Sequence, residues 1–432
     1  MSKRILALLI SIALLLSVTA CSSSGENDPD KSKNREIVLT NDNTSEERNL
    51  LLTEDIMFFK QELPKRHKNL FSNVTKEEFN DLTDQLIGKI DQLNNNQLFV
   101  ELNKIVASVG DAHTTINIRD GYSYPLKFWM FDGKVYVVNA DTSLKDMVFS
   151  QVLKIDRIEI EKVIEQLSIL ISHENESWVL AMLPNYLQSP VYMNGLGMVK
   201  NEKEAVFTVR KDGQVQDFRV SALEYGESAD YINKKTEDVL VGKFDKYYDY
   251  EYLPEYKALC FEYNACAEMD NKKFVDFNKE MFDFIEKNDV EKIIVDLRNN
   301  SGGNSEILNP FTKRLKKYIA KNTNVEVRIL VGRNTFSSGM FAIYRVKESA
   351  PKAVSMGEPT GGALDCYGEV KKINLPNSQI PIGYSTKYFE FSKDFSYKNS
   401  GIGTFLPDTL IQPTIEDYRN GKDVVLDYAL VN

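Results

Sequence analysis

The chain has 432 residues, of which 42% are hydrophobic and 27% charged, the composition of a globular protein with room for more than one domain. It has 53 Lys and Arg residues and 63 Asp and Glu residues, which gives a net charge of −10. Residues 1–20 hold two basic and no acidic side chains, so the chain without them carries −12. This acidic balance excludes nucleic acid as the expected partner.

The N-terminus predicts export from the cytoplasm. Lys3 and Arg4 precede a largely apolar run, Ile5–Leu16, which at twelve residues is too short to span a membrane. The segment that follows, Val18-Thr19-Ala20-Cys21, resembles a bacterial lipobox. The resemblance implies a lipoprotein signal peptide over residues 1–20 and a lipid on Cys21, with an ordinary signal peptide as the alternative.

Residues 21–45 are predicted to be a flexible tether. They are rich in Ser, Asn, Asp, Glu and Lys and hold few large apolar side chains, so they cannot bury enough surface to order themselves. We therefore expect a protein anchored to the cell membrane by acyl chains, on its extracytoplasmic side.

Residues 46–116 are predicted to form a helical N-terminal region. Apolar residues recur three or four positions apart in three segments, and the run from Thr75 to Glu78 has the form of a capping box. The three segments are Glu54–Leu63, Lys76–Leu93 and Asn96–Val109.

A histidine motif closes this region. The chain has three histidines. His67 lies among Lys and Arg residues that predict an exposed helix end, and His173 lies in a polar segment that predicts a loop. Only His113, in Gly-Asp-Ala-His-Thr, occupies a turn between a helical run and a strand-like run. If an imidazole activates a serine, His113 is the candidate, with a buried polar role beside Asp111 as the alternative.

Residues 117–240 are predicted to be strand-rich. Gly133–Val138 and Gln151–Asp156 alternate apolar and polar residues, and Ile160–Ile171 has helical periodicity. This arrangement is similar to a PDZ-like module, which captures a peptide end by strand addition. The glycine that usually precedes the second strand of such a module is replaced near Ser150, so a different strand-rich fold stays open.

Residues 241–432 are predicted to form an α/β core, because strand-like and helix-like segments alternate there. The strand Lys292–Leu297 runs into Asn299-Asn300-Ser301-Gly302-Gly303. Adjacent glycines allow a close approach of the backbone, and an N–H of Gly302 or Gly303 is a candidate oxyanion donor. The other predicted elements are Tyr256–Cys266, Lys273–Ile285, Ile307–Ile319 and Val325–Val331.

A serine turn follows the last of these strands. Thr335-Phe336-Ser337-Ser338-Gly339 lies between the strand and an apolar helical run that begins at Met340. A serine at such a strand-to-helix turn projects its hydroxyl beside the free N–H groups of the first helical turn. An ordinary helix N-cap is the alternative role for Ser337.

Together these motifs resemble the C-terminal-processing (tail-specific) and tricorn-core serine peptidase family. The resemblance rests on Gly-Asp-Ala-His-Thr, Val-Asp-Leu-Arg-Asn-Asn-Ser-Gly-Gly, Thr-Phe-Ser-Ser-Gly and Gly357-Glu358-Pro359-Thr360-Gly361-Gly362, in the family's order. It implies an α/β multidomain fold with a small helical unit, a middle region and a core resembling the ClpP/crotonase-like fold.

The resemblance also implies roles for individual residues. Ser337 aligns with the nucleophile, with Ser338 as the alternative, and backbone N–H groups of Ser338 and of Gly302 or Gly303 would bind the oxyanion. Many relatives use a lysine after the Gly-Gly pair, but Ala363 stands there, which favours His113 as the base. The third catalytic residue is left open among Glu369, Asp394, Asp408 and Asp111.

Two further expectations concern cysteines and cofactors. Cys260 and Cys266 would lie on one strand, too far apart to pair, so these two and Cys366 are expected to be free thiols. No metal-binding motif is present, and we expect no metal and no cofactor.

The sequence thus predicts an extracytoplasmic, membrane-anchored serine endopeptidase that cleaves polypeptides through an acyl-enzyme on Ser337. A catalytically impaired member that binds a peptide or another ligand is the alternative, because Ala363 replaces the lysine. A structural protein of the cell envelope is a third possibility.

Overall fold

The computed structural model describes residues 46–116, 121–232, 246–393 and 403–432. The predicted signal peptide, Cys21, the tether and Asp394 therefore lie outside the described residues. The described part mixes helices with several sheets, which confirms the predicted α/β multidomain class.

Three helices open the described chain: α1 (Glu46–Arg66), α2 (Lys76–Ile87) and α3 (Asn95–Ala107). Reciprocal capping boxes begin two of them, Thr75 with Glu78 at α2 and Asn94 with Gln97 at α3. Each box satisfies backbone N–H groups that a helix start leaves unpaired. The buried faces of these helices, including Phe59, pack into a shared core.

The prediction for His67 was wrong. Its side chain is buried, while Arg66 and Lys68 on either side are exposed. The N–H of Lys68 donates to Ser385 O at 2.8 Å, and the His67 ring lies 5.2 Å from that of Tyr367. The end of α1 is therefore covered by a distant part of the chain, which a local count of charges does not reveal.

The middle region contains an antiparallel sheet in the order β1-β2-β3-β5-β6, with β4 paired to β3. Three helices accompany this sheet, and α5 is the one that reaches the site described below. The elements are β1 (Leu126–Phe131), β2 (Lys134–Ala140), β3 (Gln151–Ile155), β4 (Ile158–Glu159), α4 (Ile160–Ser168), α5 (Glu176–Gln188), α6 (Pro190–Gly195), β5 (Glu204–Lys211) and β6 (Gln214–Ser221).

The C-terminal region alternates strands and helices and adds one long hairpin, β12–β13. Its elements are β7 (Tyr248–Leu253), β8 (Ala258–Tyr263), α7 (Phe274–Ile285), β9 (Lys292–Asp296), α8 (Asn309–Lys321), β10 (Glu326–Val331), α9 (Ser338–Ser349), β11 (Val354–Gly357), β12 (Asp365–Asn374), β13 (Pro381–Glu390), β14 (Thr409–Leu410), α10 (Ile415–Arg419) and α11 (Val424–Val431).

The core sheet has the order β14-β11-β10-β9-β8-β7 and is parallel from β14 to β8. Because parallel strands end at one edge of a sheet, the turns after β9 and β10 lie side by side, as the sequence predicted. An isolated bridge between Ile116 and Ile382 ties the segment after the histidine motif to β13.

The cysteines Cys260, Cys266 and Cys366 are unpaired and buried, which confirms the expectation of free thiols. Their predicted placement was wrong in one respect, because β8 ends at Tyr263 and Cys266 lies beyond it. Among the described residues, no helix combines the length and apolar composition needed to cross a membrane.

Candidate active site

Ser337 lies on a strained turn between β10 and α9. Its backbone has φ +52° and ψ −125°, a combination that side-chain-bearing residues seldom adopt and that functional sites often hold. Its side chain makes no capping hydrogen bond to the helix. The hydroxyl is therefore not used as an N-cap and is available for another partner.

A buried asparagine holds this turn. Asn300 is fully buried, its backbone carbonyl accepts the N–H of Phe336 at 2.9 Å, and its side-chain amide donates to Tyr263 O at 2.7 Å. A Cβ on Gly339 would lie 2.4 Å from Asn300 O, so only glycine allows the helix start to approach so closely. The turn after β9 thus fixes the turn that carries Ser337.

Gly302 lies directly against Ser337, and Gly303 packs against Cys266. The N–H of Gly302 donates to Asn300 Oδ1 at 3.0 Å, so it is not available to an oxyanion. The N–H groups of Gly303 and Ser338 make no hydrogen bond to any residue that the structure describes. Ser338 also begins α9, where the first N–H groups have no partner inside the helix. Of the predicted oxyanion donors, Ser338 and Gly303 are the two with a free N–H.

His113 contacts Ser337 across 224 residues of sequence. Its Nε2 lies 3.1 Å from Ser337 Oγ, the separation of a hydrogen bond between a base and a nucleophile. Ser338 Oγ instead donates to Gly303 O at 2.6 Å. Burial lowers the pKa of His113, and the charge of Asp111 opposes part of that shift. The imidazole is therefore neutral near pH 7.

Asp111 holds the backbone of the histidine turn rather than the imidazole. Its Oδ1 accepts the N–H of His113 at 2.9 Å, and its Oδ2 accepts from Thr114 Oγ1 at 2.6 Å and lies 3.0 Å from His67 Nε2. Burial acts to raise the pKa of Asp111, but the hydrogen bond from His67 and the charge of His113 outweigh it and the pKa is lowered. Asp111 is thus an ionised, fully engaged carboxylate.

His67 has a supporting role at this turn. Its Nδ1 accepts the N–H of Asn69 at 3.1 Å, so the ring proton sits on Nε2 and is donated to Asp111. A histidine expected to be exposed therefore fixes the carboxylate beneath the base.

Glu174 is a residue that the sequence analysis missed. It precedes α5 and its Oε1 accepts the N–H of Ala112, next to the base, at 3.1 Å. Its Oε2 is buried and has no hydrogen-bond partner in the described part of the chain. Burial raises the pKa of Glu174 to about 8, and the negative charge of Asp111 adds to the shift. The segment around it predicted a polar loop, and no local pattern distinguishes this glutamate from exposed ones.

Three rings stack beside the nucleophile. The centroid of the Phe336 ring lies 3.9 Å from the ring centroid of Trp178 and 4.6 Å from that of His113. The N-cap of α5, Asn175, donates to Gly361 O at 2.9 Å. The start of α5 and Glu174 just before it therefore contact the histidine turn, Phe336 and the Gly-Gly segment together.

Of the other candidates for a third catalytic residue, Glu369 and Asp408 have partners elsewhere, and Asp394 lies outside the described residues. Asp408 binds Lys347 and the hydroxyl of Ser355, and Glu369 is exposed and pairs with Lys387. Ala363, at the lysine position of relatives, is buried. The structure brings Ser337, His113, Asp111 and Glu174 together and leaves Glu369 and Asp408 elsewhere.

One group of possible metal ligands occurs among the described residues, formed by Asp111, His113 and Glu174. The oxygens of Asp111 already accept hydrogen bonds, and His113 is engaged with Ser337.

Comparisons by sequence find no matching protein family and no matching curated protein. The fold does match solved structures. Mature CPAF aligns with a TM-score of 0.62 at 13% identity, over 88% of this chain and 96% of CPAF. CPAF complexed with lactacystin aligns with a TM-score of 0.61 at 12% identity, over 88% and 97%.

A photosystem II D1 C-terminal processing protease aligns more distantly, with a TM-score of 0.41 at 12% identity, over 84% of this chain and 93% of the protease. At identities this low an alignment establishes the fold alone, so the chemistry has to be inferred from the residues of the site. The chain therefore has the fold of CPAF.

Proposed function

We propose that this protein is a serine endopeptidase that cleaves polypeptides through an acyl-enzyme on Ser337, with His113 as the base. The separation of 3.1 Å between His113 Nε2 and Ser337 Oγ carries the proposal. The strained backbone of Ser337 and the absence of a capping bond support it, since an N-cap serine would show neither feature.

The reaction follows from this geometry. Ser337 Oγ attacks the peptide carbonyl carbon while its proton passes to His113 Nε2, and the oxyanion forms beside the N–H groups of Ser338 and Gly303. His113 then protonates the leaving amine as the C–N bond breaks. A water molecule then attacks the carbonyl carbon of the acyl-enzyme while one of its protons passes to His113 Nε2. His113 gives this proton to Ser337 Oγ as the C–O bond of the ester breaks, which releases the acid product and restores the serine.

The place of action that we propose is the extracytoplasmic face of the cell membrane, with the mature chain anchored by a lipid on Cys21. The charged start, the apolar run and the lipobox-like ending of the first 21 residues support this proposal. The test is fractionation of cells expressing the full chain, in which Cys21→Ser releases the protein from the membrane fraction. Retention of the variant in that fraction would refute the anchor.

The catalytic proposal is tested with an active-site probe. The chain without residues 1–21 is incubated with a fluorescent fluorophosphonate, which reacts with activated serines. We expect labelling of the wild type, its loss in Ser337→Ala, and a fall of at least about 100-fold in His113→Ala. Ser338→Ala is the matched control, because it removes a neighbouring hydroxyl but keeps the backbone N–H, and it should still be labelled.

A second candidate function is that of a peptide-binding lipoprotein without catalysis. The observation that favours it is Ala363, which occupies the position of the lysine used by many relatives. Absence of labelling in the wild type, together with binding of peptides by the same preparation, would select this function over the first.

A further inference from the structure

Two buried polar atoms near His113 Nε2 and Ser337 have no partner among the residues that the structure describes. These atoms, His113 Nδ1 and Glu174 Oε2, are both shielded from solvent, and neither makes a hydrogen bond to a described residue. A ring nitrogen of His113 and one carboxylate oxygen each from Asp111 and Glu174 lie within 4.8 Å of one another. Buried polar atoms are normally satisfied by protein or by an ordered water, so this pair calls for an explanation.

One water molecule would satisfy both atoms. Two hydrogen bonds of about 2.8 Å meeting at a tetrahedral angle span roughly 4.6 Å, which is within the 4.8 Å that encloses the ligand atoms of His113, Asp111 and Glu174. Asp111 is not the hydrogen-bond partner of His113 Nδ1. Its Oδ1 lies 3.9 Å from His113 Nδ1 and already accepts the backbone N–H of His113.

His113 can act as a base towards Ser337 in only one of its two neutral tautomers. Nε2 accepts the proton of Ser337 only when Nδ1 carries the ring hydrogen, so Nδ1 needs an acceptor beyond it. Because Glu174 Oε1 accepts the N–H of Ala112, a protonated Glu174 would hold its hydrogen on Oε2. It would then present a donor towards Nδ1 and favour the wrong tautomer. An ionised Glu174 presents an acceptor and favours the right one.

We propose that Glu174 is the positioning residue of His113, that it acts through one bridging water molecule, and that it does so only when its carboxyl group is ionised. This inference rests on the proposed peptidase function. It makes the pH dependence of acylation a property of Glu174 rather than of the imidazole.

The electrostatics around Glu174 agree with such a dependence. Burial raises the pKa of Glu174 to about 8, with the charge of Asp111 adding to the shift, and burial lowers the pKa of His113. The base is thus already neutral at pH values where Glu174 still holds its proton. The titratable groups that face Glu174 are Asp111, His113 and Cys366, with His67 behind Asp111.

The experiment measures the rate of fluorophosphonate labelling from pH 6 to pH 9.5 for the chain without residues 1–21. For the wild type we expect a rise of about tenfold per pH unit up to a midpoint near pH 8, followed by a plateau. Glu174→Gln imitates the protonated side chain, so its rate should match the wild type within about threefold at pH 6 and fall about 100-fold below it at pH 9.

Two variants make the comparison specific. Glu176→Gln removes an exposed carboxylate from the first turn of α5 and should keep the wild-type profile. Glu174→Asp keeps an ionisable acceptor and should restore part of the rate at pH 9. Identical profiles for the wild type and Glu174→Gln, with labelling still lost in Ser337→Ala, would overturn this inference and leave the peptidase proposal standing.

A spectroscopic readout does not depend on activity. The three histidines give a simple ¹⁵N spectrum, in which His113 is assigned by His113→Ala. We expect the His113 ring of the wild type to change from the Nε2-protonated to the Nδ1-protonated tautomer as pH rises through 8, and the ring of Glu174→Gln to stay Nε2-protonated. A tautomer that does not change with pH in the wild type would overturn the inference even if no probe labels Ser337.

Discussion

Gly302 and Ser337 are packed so closely that each restricts the other. A Cβ on Gly302 would lie 2.7 Å from Ser337 Cβ and 3.0 Å from Ser338 N, and the Gly302 φ of +111° favours glycine. Ser337 and the N–H of Ser338 are therefore held in place by contact between two turns. A side chain at residue 302 has to displace the serine or the N–H beside it.

We predict that Gly302→Ala loses at least about 100-fold in labelling rate, because a displacement of a few tenths of an ångström at the reacting atom is enough to spoil the geometry. The positive φ should also lower the free energy of unfolding by about 1–2 kcal/mol. Labelling rates and urea denaturation measure the two effects.

Gly213→Ala is the matched control for this prediction. Gly213 has φ +83° in a hairpin turn, with open space where a Cβ would be. The control should lose comparable stability without losing labelling rate. If Gly302→Ala were labelled at the same rate as Gly213→Ala, close packing against Ser337 would not matter for catalysis.

At the scale of elements, periodicity predicted the helices and strands well. The predicted first residues of α2 (Lys76) and β9 (Lys292) and the predicted last residue of β10 (Val331) agree with the structure. Capping boxes, apolar runs and glycine turns are local signals, so a sequence pattern is enough to find them. The approach of the turns after β9 and β10 also followed, since parallel strands bring their carboxyl ends to one edge.

The contributions of α1 and α5 to the site could not be predicted in the same way. His67 is buried because the β12–β13 hairpin covers the end of α1, and the Glu174 carboxylate is buried because the start of α5 packs on the histidine turn. Both contacts join residues far apart in sequence. Their burial, and hence their chemistry, depends on tertiary packing that periodicity does not encode.

At the scale of the whole molecule, the site lies between two hydrophobic cores. Phe336 belongs to the core that holds α1 to α3 and the middle sheet, whereas Met340 and Phe341, only a few residues later, belong to the core around β8 to β10. Ser337 is thus placed between them. The buried pair Arg333–Glu358, at 2.6 Å, adds a link, since Arg333 also donates to Met130 O in β1.

The position of Glu174 in this setting links stability to pH. Its pKa is raised by burial from an ordinary 4.5 to about 8, so the folded chain holds the proton more tightly than the unfolded chain. The free energy of unfolding should therefore fall as pH rises from about 4.5 to about 8 and level off above that range. The ionised form that orients His113 is also the less stable form, as is common where a site needs an uncompensated charge.

We predict that Glu174→Gln is as stable as the wild type at pH 5 and more stable by about 2–5 kcal/mol at pH 9, because glutamine cannot ionise. Urea denaturation of the chain without residues 1–21 at the two pH values measures the difference, and Glu176→Gln, which lies on the exposed face of α5, should show none. A stability gain of equal size at both pH values would mean that glutamine improves packing, and that the carboxyl group of Glu174 does not titrate within the fold.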